Sequence, residues 1–371
     1  MKITDFELIH VKPRWLFLKI HTDEGIVGYG EPILEGKART VETAVKEFFD
    51  YLKGKDARRI EYHWQAMYRW SFYRGGPIIM SAISGIEQAL WDILGKYLNQ
   101  PVYQLLGGSV RDKIKVYAHV GGRTPEECAQ NALKRVKEGF KALKMGPFGA
   151  TRIVDTPKKI KEAAEKVKAV RETVGDNVDL AIDCHGRLSP SMAILMAKAL
   201  EPYSPMFLEE PCLPENVDTM VTIARSTRIP IATGERLFTR WGFREILEKQ
   251  AASILQPDLC HAGGIMECRK IAAMAEVYYA AVAPHNPLGP IALAACLQLD
   301  ACTPNFLVQE QVTLGEGYLK RPFKLEDGYI EVPKGPGLGI ELDEEAIEEK
   351  RYPGDWHNPQ LLHEDGSVAD W

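Results

Sequence analysis

Six residues able to bind metal or move protons stand along the chain at intervals of 26, 26, 23, 27 and 25: Asp183, Glu209, Glu235, Asp258, His285 and Glu310. Each closes a short apolar run. Taken singly, any of these acids would be an ordinary ion-pair partner or helix cap. Three carboxylates converging from consecutive runs repel one another unless a cation neutralises them. Asp183, Glu209 and Glu235 are therefore candidate metal ligands, and an all-oxygen set of hard donors favours Mg²⁺, with Mn²⁺ as the substitute. His285 ends the run Ala-Val-Ala-Pro-His and Asp258 ends Ile-Leu-Gln-Pro-Asp on the preceding one. A hydrogen bond between them would fix the imidazole tautomer and raise its basicity. His185 lies two residues past Asp183, on the same side if the strand continues. Two histidines flanking one metal predict proton removal on one side and proton delivery on the other.

The spacing of these residues is that of one strand-plus-helix unit. Between residues 113 and 320, apolar runs at 115–120, 142–145, 179–183, 206–209, 231–235, 253–258, 281–285 and 306–310 alternate with helical patterns such as 156–174, 191–200 and 265–279. Eight such strands predict a parallel α/β barrel of the TIM type, whose strand C-termini share one mouth. Residues 1–112 differ. They open with a hairpin, 15–21 and 26–31 around Asp23-Glu-Gly25, and continue with helices at 40–52 and 80–98, which predicts an α+β domain. Residues 321–371 are rich in Gly, Pro and acids and too short for a domain of their own. A strand near 329–332 is expected to return to the N-terminal sheet, with Trp356 and Trp371 packed back on the core.

Composition narrows the partners. Lys and Arg number 46 against 51 Asp and Glu, a formal net charge of −5, which argues against nucleic acid or an anionic membrane. Seven cysteines, an odd count without a Cys-x-x-Cys pair, predict buried free thiols. The N-terminus carries charges where a signal peptide needs an apolar stretch. The most apolar segments, such as 291–299, fall short of the roughly 20 residues of a membrane helix. A cytoplasmic protein is expected.

The motifs Asp183-Cys-His185, Glu209-Glu-Pro211, Gly234-Glu235-Arg236, Gln256-Pro-Asp258-Leu-Cys-His-Ala-Gly-Gly264 and Ala283-Pro-His285-Asn-Pro-Leu-Gly-Pro290 resemble those of the enolase superfamily, mandelate racemase subgroup. Phe72-Tyr-Arg-Gly-Gly-Pro77, Ala89-Leu-Trp-Asp92 and His363-Glu-Asp-Gly-Ser-Val-Ala-Asp-Trp371 extend the resemblance over the whole chain, most closely to the galactonate dehydratases. It implies a modified (β/α)7β TIM barrel under an α+β capping domain built from both chain ends. It further implies Mg²⁺ on Asp183, Glu209 and Glu235, stabilising an enediolate. His285, supported by Asp258, would take the C2 proton and His185 would protonate the departing 3-hydroxyl. Glu310 would hydrogen-bond the substrate carboxylate. Arg14, Trp15, Tyr73 and Arg74 lie in loops that such capping domains fold over the mouth and are candidate substrate contacts, although Trp15 could equally begin the hairpin core. Lys144 could touch the substrate carboxylate or pair with Asp183. His119 fits packing as well as contact, and His261, although inside a strong motif, reads as structural.

Racemases of the subgroup carry Lys-x-Lys at the second strand end, where this chain reads Lys144-Met-Gly146, so the second base is missing. Cycloisomerases place Lys where Asp258 stands. Mannonate-type dehydratases use a Tyr and an Arg in the segment where only Arg152 is present. The resemblance thus implies dehydration of a small 2,3-dihydroxy sugar acid, D-galactonate first, with gluconate, xylonate or arabonate as alternatives. A symmetric homo-oligomer, an octamer being one candidate size, is expected. A non-catalytic sugar-acid binding protein would be expected to have lost some of these residues, and none is missing.

Overall fold

The computed structural model describes residues 1–371. It opens with an antiparallel meander of β1 (Ile3–Val11), β2 (Trp15–Thr22) and β3 (Val27–Gly30). The hairpin lies where alternation places it. β1 is an addition, because Asp5 and Glu7 break its apolar pattern. Helices α1 (Ala38–Leu52), α2 (Ile60–Arg69), α3 (Pro77–Leu98) and α4 (Val102–Leu105) follow. α3 lies against β3 so closely that a Cβ on Gly30 would collide with the Gly85 carbonyl, and a Cβ on Gly85 would collide with Pro32 just past β3. By length and composition α3 could cross a membrane, contrary to the expectation that no segment would. Here 15 of its 22 residues are buried inside the fold instead.

The barrel runs β4 (Lys113–Val120), α5 (Pro125–Lys137), β5 (Ala142–Met145), α6 (Pro157–Val174), β6 (Asp179–Asp183), α7 (Pro190–Leu200), β7 (Phe207–Glu209), α8 (Val217–Ala224), β8 (Ile231–Thr233), α9 (Thr239–Glu248), β9 (Ile254–Leu255), α10 (Ile265–Val277), β10 (Ala281–Val282), α11 (Pro290–Cys302) and β11 (Gln309–Glu310). Every neighbouring pair is parallel, β11 pairs with β4, and a parallel bridge from Val282 to Phe306 closes the ring. Eight strands and seven helices make the (β/α)7β form.

Inside, one residue on or beside each strand forms an apolar plug: Tyr117, Ala142, Ala181, Phe207, Ala232, Ile254, Ala283 and Val308. Large and small side chains share this layer, which fills the barrel as such interiors require. Strand side chains alternate with period two, so the next inward layer is fixed by arithmetic: His119, Lys144, Asp183, Glu209, Gly234, Gln256, His285 and Glu310. Chemistry therefore sits directly on the plug.

Several strands are shorter than the apolar runs. β9 and β10 stop before Gln256-Pro257 and Ala283-Pro284, because proline has no N–H for the ladder. Asp258 and His285 consequently stand on the loops just beyond. The tail also departs from expectation. β12 (Leu325–Glu326) and β13 (Tyr329–Glu331) form a hairpin whose second strand pairs antiparallel with β4, Tyr329 opposite Lys115, and not with the N-terminal sheet. After α12 (Glu344–Glu348) the chain does reach that sheet, through an Arg351–Val11 bridge, and ends in the hairpin β14 (Leu361–Leu362) and β15 (Val368–Ala369). All seven cysteines are free and buried.

Candidate active site

Lys144 lies at the centre of the polar layer, only 2% exposed. Its Nζ is 3.3 Å from Asp183 Oδ2, 3.0 Å from Glu209 Oε2 and 2.8 Å from Glu310 Oε1. Burial disfavours its charge, but the surrounding carboxylates outweigh that and raise the ammonium well above its ordinary range. The acids divide accordingly. Burial and the neighbouring Asp183 charge hold the Glu209 carboxyl well above its usual range, against the pull of Lys144. Burial would also raise Asp183 and Glu310, yet Lys144, with His185 for the first and His285 and His119 for the second, keeps both low and ionised. Glu310 thus accepts from the Asn286 N–H at 2.8 Å, and its other oxygen lies 2.7 Å from His119 Nε2.

His285 Nδ1 is 2.8 Å from Asp258 Oδ2, and its Nε2 faces the cavity, 3.2 Å from Glu235 Oε2. Burial lowers its proton affinity, but Glu235, Glu310 and Asp258 together raise it well above the ordinary imidazole value. Asp258 is only 1% exposed and accepts from the Cys260 N–H at 2.6 Å, so the dyad's orientation is fixed from behind. His185 adopts the left-handed conformation at φ 49°, with its Nε2 3.1 Å from Asp183 Oδ2. His185 follows β6 and His285 follows β10, the third and seventh barrel strands, so the two imidazoles approach one cavity of about 600 Å³ from opposite sides.

The N-terminal domain described as mandelate racemase / muconate lactonizing enzyme matches residues 9–107, and the domain described as enolase C-terminal domain-like matches residues 127–346. The chain belongs to the enolase superfamily. It lies in the superfamily's mandelate racemase subgroup. The D-galactonate dehydratases of Ralstonia pickettii and Cronobacter sakazakii are each 50% identical to it, over 100% of both chains. A provisionally assigned galactarate dehydratase from Agrobacterium radiobacter, solved with sodium and L-malate bound, superimposes with a TM-score of 0.94 at 33% identity over 100% of both chains. The chain is a sugar-acid dehydratase, a hydro-lyase.

Against this superfamily site the expected residues sort as follows. Arg14, Lys144, Asp183, His185, Glu235, His285 and Glu310 line the cavity. Glu209 lies fully buried beneath Lys144, and Asp258 stands behind His285. The three expected metal ligands do not form a ready-made cluster in this conformation: Asp183 and Glu209 are drawn to Lys144, and Glu235 to His285. Trp15 is not at the mouth. It is 3% exposed, stacks on Phe17 and meets Tyr318 edge-on, as a core residue of β2 does. Tyr73, 87% exposed, and Arg74, over the Tyr68 ring, stand outside the cavity lining. His261 is buried against Ser81, and His119 lines the cavity. Three residues that the sequence reading does not place at the site stand in its wall, among them Trp371, expected to pack on the core. Arg187 Nη2 lies 3.3 Å from His185 Nδ1, Arg236 pairs with the buried Glu210 at 2.8 Å, and Trp371 meets the His185 ring edge-on at 5.9 Å. Arg187 and Arg236 flank motif histidine and glutamate by one or two positions, which is the signal that could have found them.

Proposed function

We propose that the chain converts D-galactonate to 2-dehydro-3-deoxy-D-galactonate and water in a Mg²⁺-dependent reaction, Mn²⁺ serving as substitute. The observation that carries this reading is the pair of histidines on opposite sides of one cavity, one backed by a buried aspartate. The donor chemistry of Asp183, Glu209 and Glu235 fits a hard divalent ion. Positive charge is already drawn to this point in the form of Lys144, and Glu209 Oε2 and Glu235 Oε2 have no aligned hydrogen bond. Bound there, the ion would supply charge to the substrate carboxylate and to the oxyanion that grows as the proton leaves. His285 Nε2 removes the C2 proton while Asp258 holds Nδ1. His185 delivers its proton to the 3-hydroxyl, which leaves as water, and the resulting enol becomes the 2-keto acid. Lys144 and Glu310, at the cavity floor, orient the carboxylate. Gly146 lines the cavity where a racemase would need its second base, which supports elimination over racemisation. A cytoplasmic homo-oligomer completes the reading.

The test is a screen of stereoisomeric aldonic and aldaric acids for 2-keto-3-deoxy products, with Mg²⁺ and with chelator. Chelator-sensitive turnover of galactonate supports the reading. Turnover of another aldonate keeps the chemistry and overturns the substrate. His285→Asn is expected to abolish turnover while Mg²⁺ still binds, and retained turnover removes His285 from the mechanism.

A further inference from the structure

Barrel helices here begin in different ways, and Thr156 at α6 and Phe238 at α9 give no side-chain cap. Thr124 caps α5, Ser189 caps α7 and Asn216 caps α8, each with its own side chain. α10 and α11, the helices that follow the Asp258 and His285 loops, begin at Gly264 and Gly289 with no side-chain cap. Their free N–H groups are bound instead by carboxylates from the capping domain. Glu87 on α3 accepts from Ile265 at 2.8 Å and Met266 at 2.9 Å. Glu31, just past β3, accepts from Gly289 at 2.7 Å and Ala292 at 2.9 Å. Glu31 is fully buried and is not among the cavity-lining residues.

We infer that Glu31 is a positioning residue for His285, tying the loop that bears the base to the capping domain. The inference rests on the proposed role of His285. A local Ser or Asp would cap α11 equally well, for about 1 kcal/mol, so helix stability alone does not call for a carboxylate from another domain. What the distant cap adds is a fixed distance between domains. The His285–Gly289 loop is held at three points: Asn286 N–H by Glu310 at 2.8 Å, Pro287 carbonyl by Arg14 at 3.1 Å, and Gly289 N–H by Glu31. Two of the three holders belong to the capping domain. The same domain grips the neighbouring loop, where Gln88 receives the Glu31 N–H at 3.0 Å and donates to the Leu259 carbonyl at 3.0 Å, directly after Asp258. Glycine at 289 is matched to this arrangement, since a Cβ there would stand 2.5 Å from Glu31 Oε1.

The experiment compares Glu31→Gln with the double variant Glu31→Ala/Gly289→Asp, which removes the distant cap and installs a local one in the space released. Each is measured for Tm, for kcat and KM on the aldonate that the wild type turns over, and for deuterium uptake of the 285–289 loop. The double variant should regain the wild-type Tm yet keep a kcat lowered by about 100-fold, the scale of a misplaced catalytic group, with KM unchanged and loop uptake raised. Recovery of kcat together with Tm overturns the inference and leaves Glu31 as a helix cap only. Wild-type kcat and loop protection in Glu31→Gln overturn it as well, whether or not the double variant folds. Loop uptake reads the tether itself, whereas turnover by His285→Asn would sink the assigned base, so the two failures are distinguishable.

Discussion

Lys144 is the residue on which the polar layer balances. Three carboxylates in a dry interior share its ammonium, and breaking a buried ion pair by removing one partner costs about 3–5 kcal/mol, because the charges left behind are uncompensated. Lys144→Met should therefore lower the midpoint of urea unfolding sharply in chelator. Mg²⁺ should restore much of it if Asp183 and Glu209 can recruit the ion, and a midpoint indifferent to Mg²⁺ would count against them as ligands. Asp183, Glu209, His285 and Glu310 were legible in this layer because each closes an apolar run, and period-two alternation then fixes its direction; Glu235 and Asp258 close their runs one and two residues past the layer positions Gly234 and Gln256. Trp371 and Glu31 were not legible in the same way. Their roles come from contacts between segments far apart in the chain, which no local pattern records. Trp15 misled for a related reason: its neighbour Arg14 does reach the cavity, and one step along a strand turns a side chain to the other face.

At the scale of elements, the prolines at 257 and 284 end β9 and β10 early and leave Asp258 and His285 on loops, so their geometry depends on what holds those loops. α3 holds the first, with Ser81 to His261 at 3.0 Å, Ser84 to the Gly263 N–H at 3.0 Å and Glu87 to the start of α10. One helix face thus reads the Asp258 loop residue by residue. Its depth is set by its glycine contact with β3, and overpacking such a contact costs about 1–3 kcal/mol. Gly30→Ala is expected to lower the unfolding free energy by that amount, and Tm with it, and to shift α3, so kcat should fall as well; unchanged thermal melting would show that the contact can relax. Strand and helix positions were readable from apolar periodicity. The pairing of β13 with β4 was not, since a short strand carries no mark of which edge it joins.

Across the whole molecule, the capping domain's buried carboxylates set a pH dependence. Burial pushes Glu31 up to about 8, with Asp258 adding to the rise, and Glu87 up to about 7, opposed chiefly by its bonds from the Met266 and Ile265 N–H groups. Both groups bind a proton more tightly folded than unfolded, so their contribution to stability is greatest at low pH and is lost as pH rises from about 4.5 through 7 to 8. Wild-type protein should lose urea stability relative to Glu87→Gln between pH 5 and 8, and parallel curves would refute the assignment. One further consequence concerns time. Arg14 and Trp371 face the same cavity from opposite ends of the sequence, and contacts so distant in the chain are the slowest to form. A refolding sample should recover its barrel, seen by far-ultraviolet circular dichroism, before it recovers turnover, with the catalytic pocket the last part of the protein to come into being.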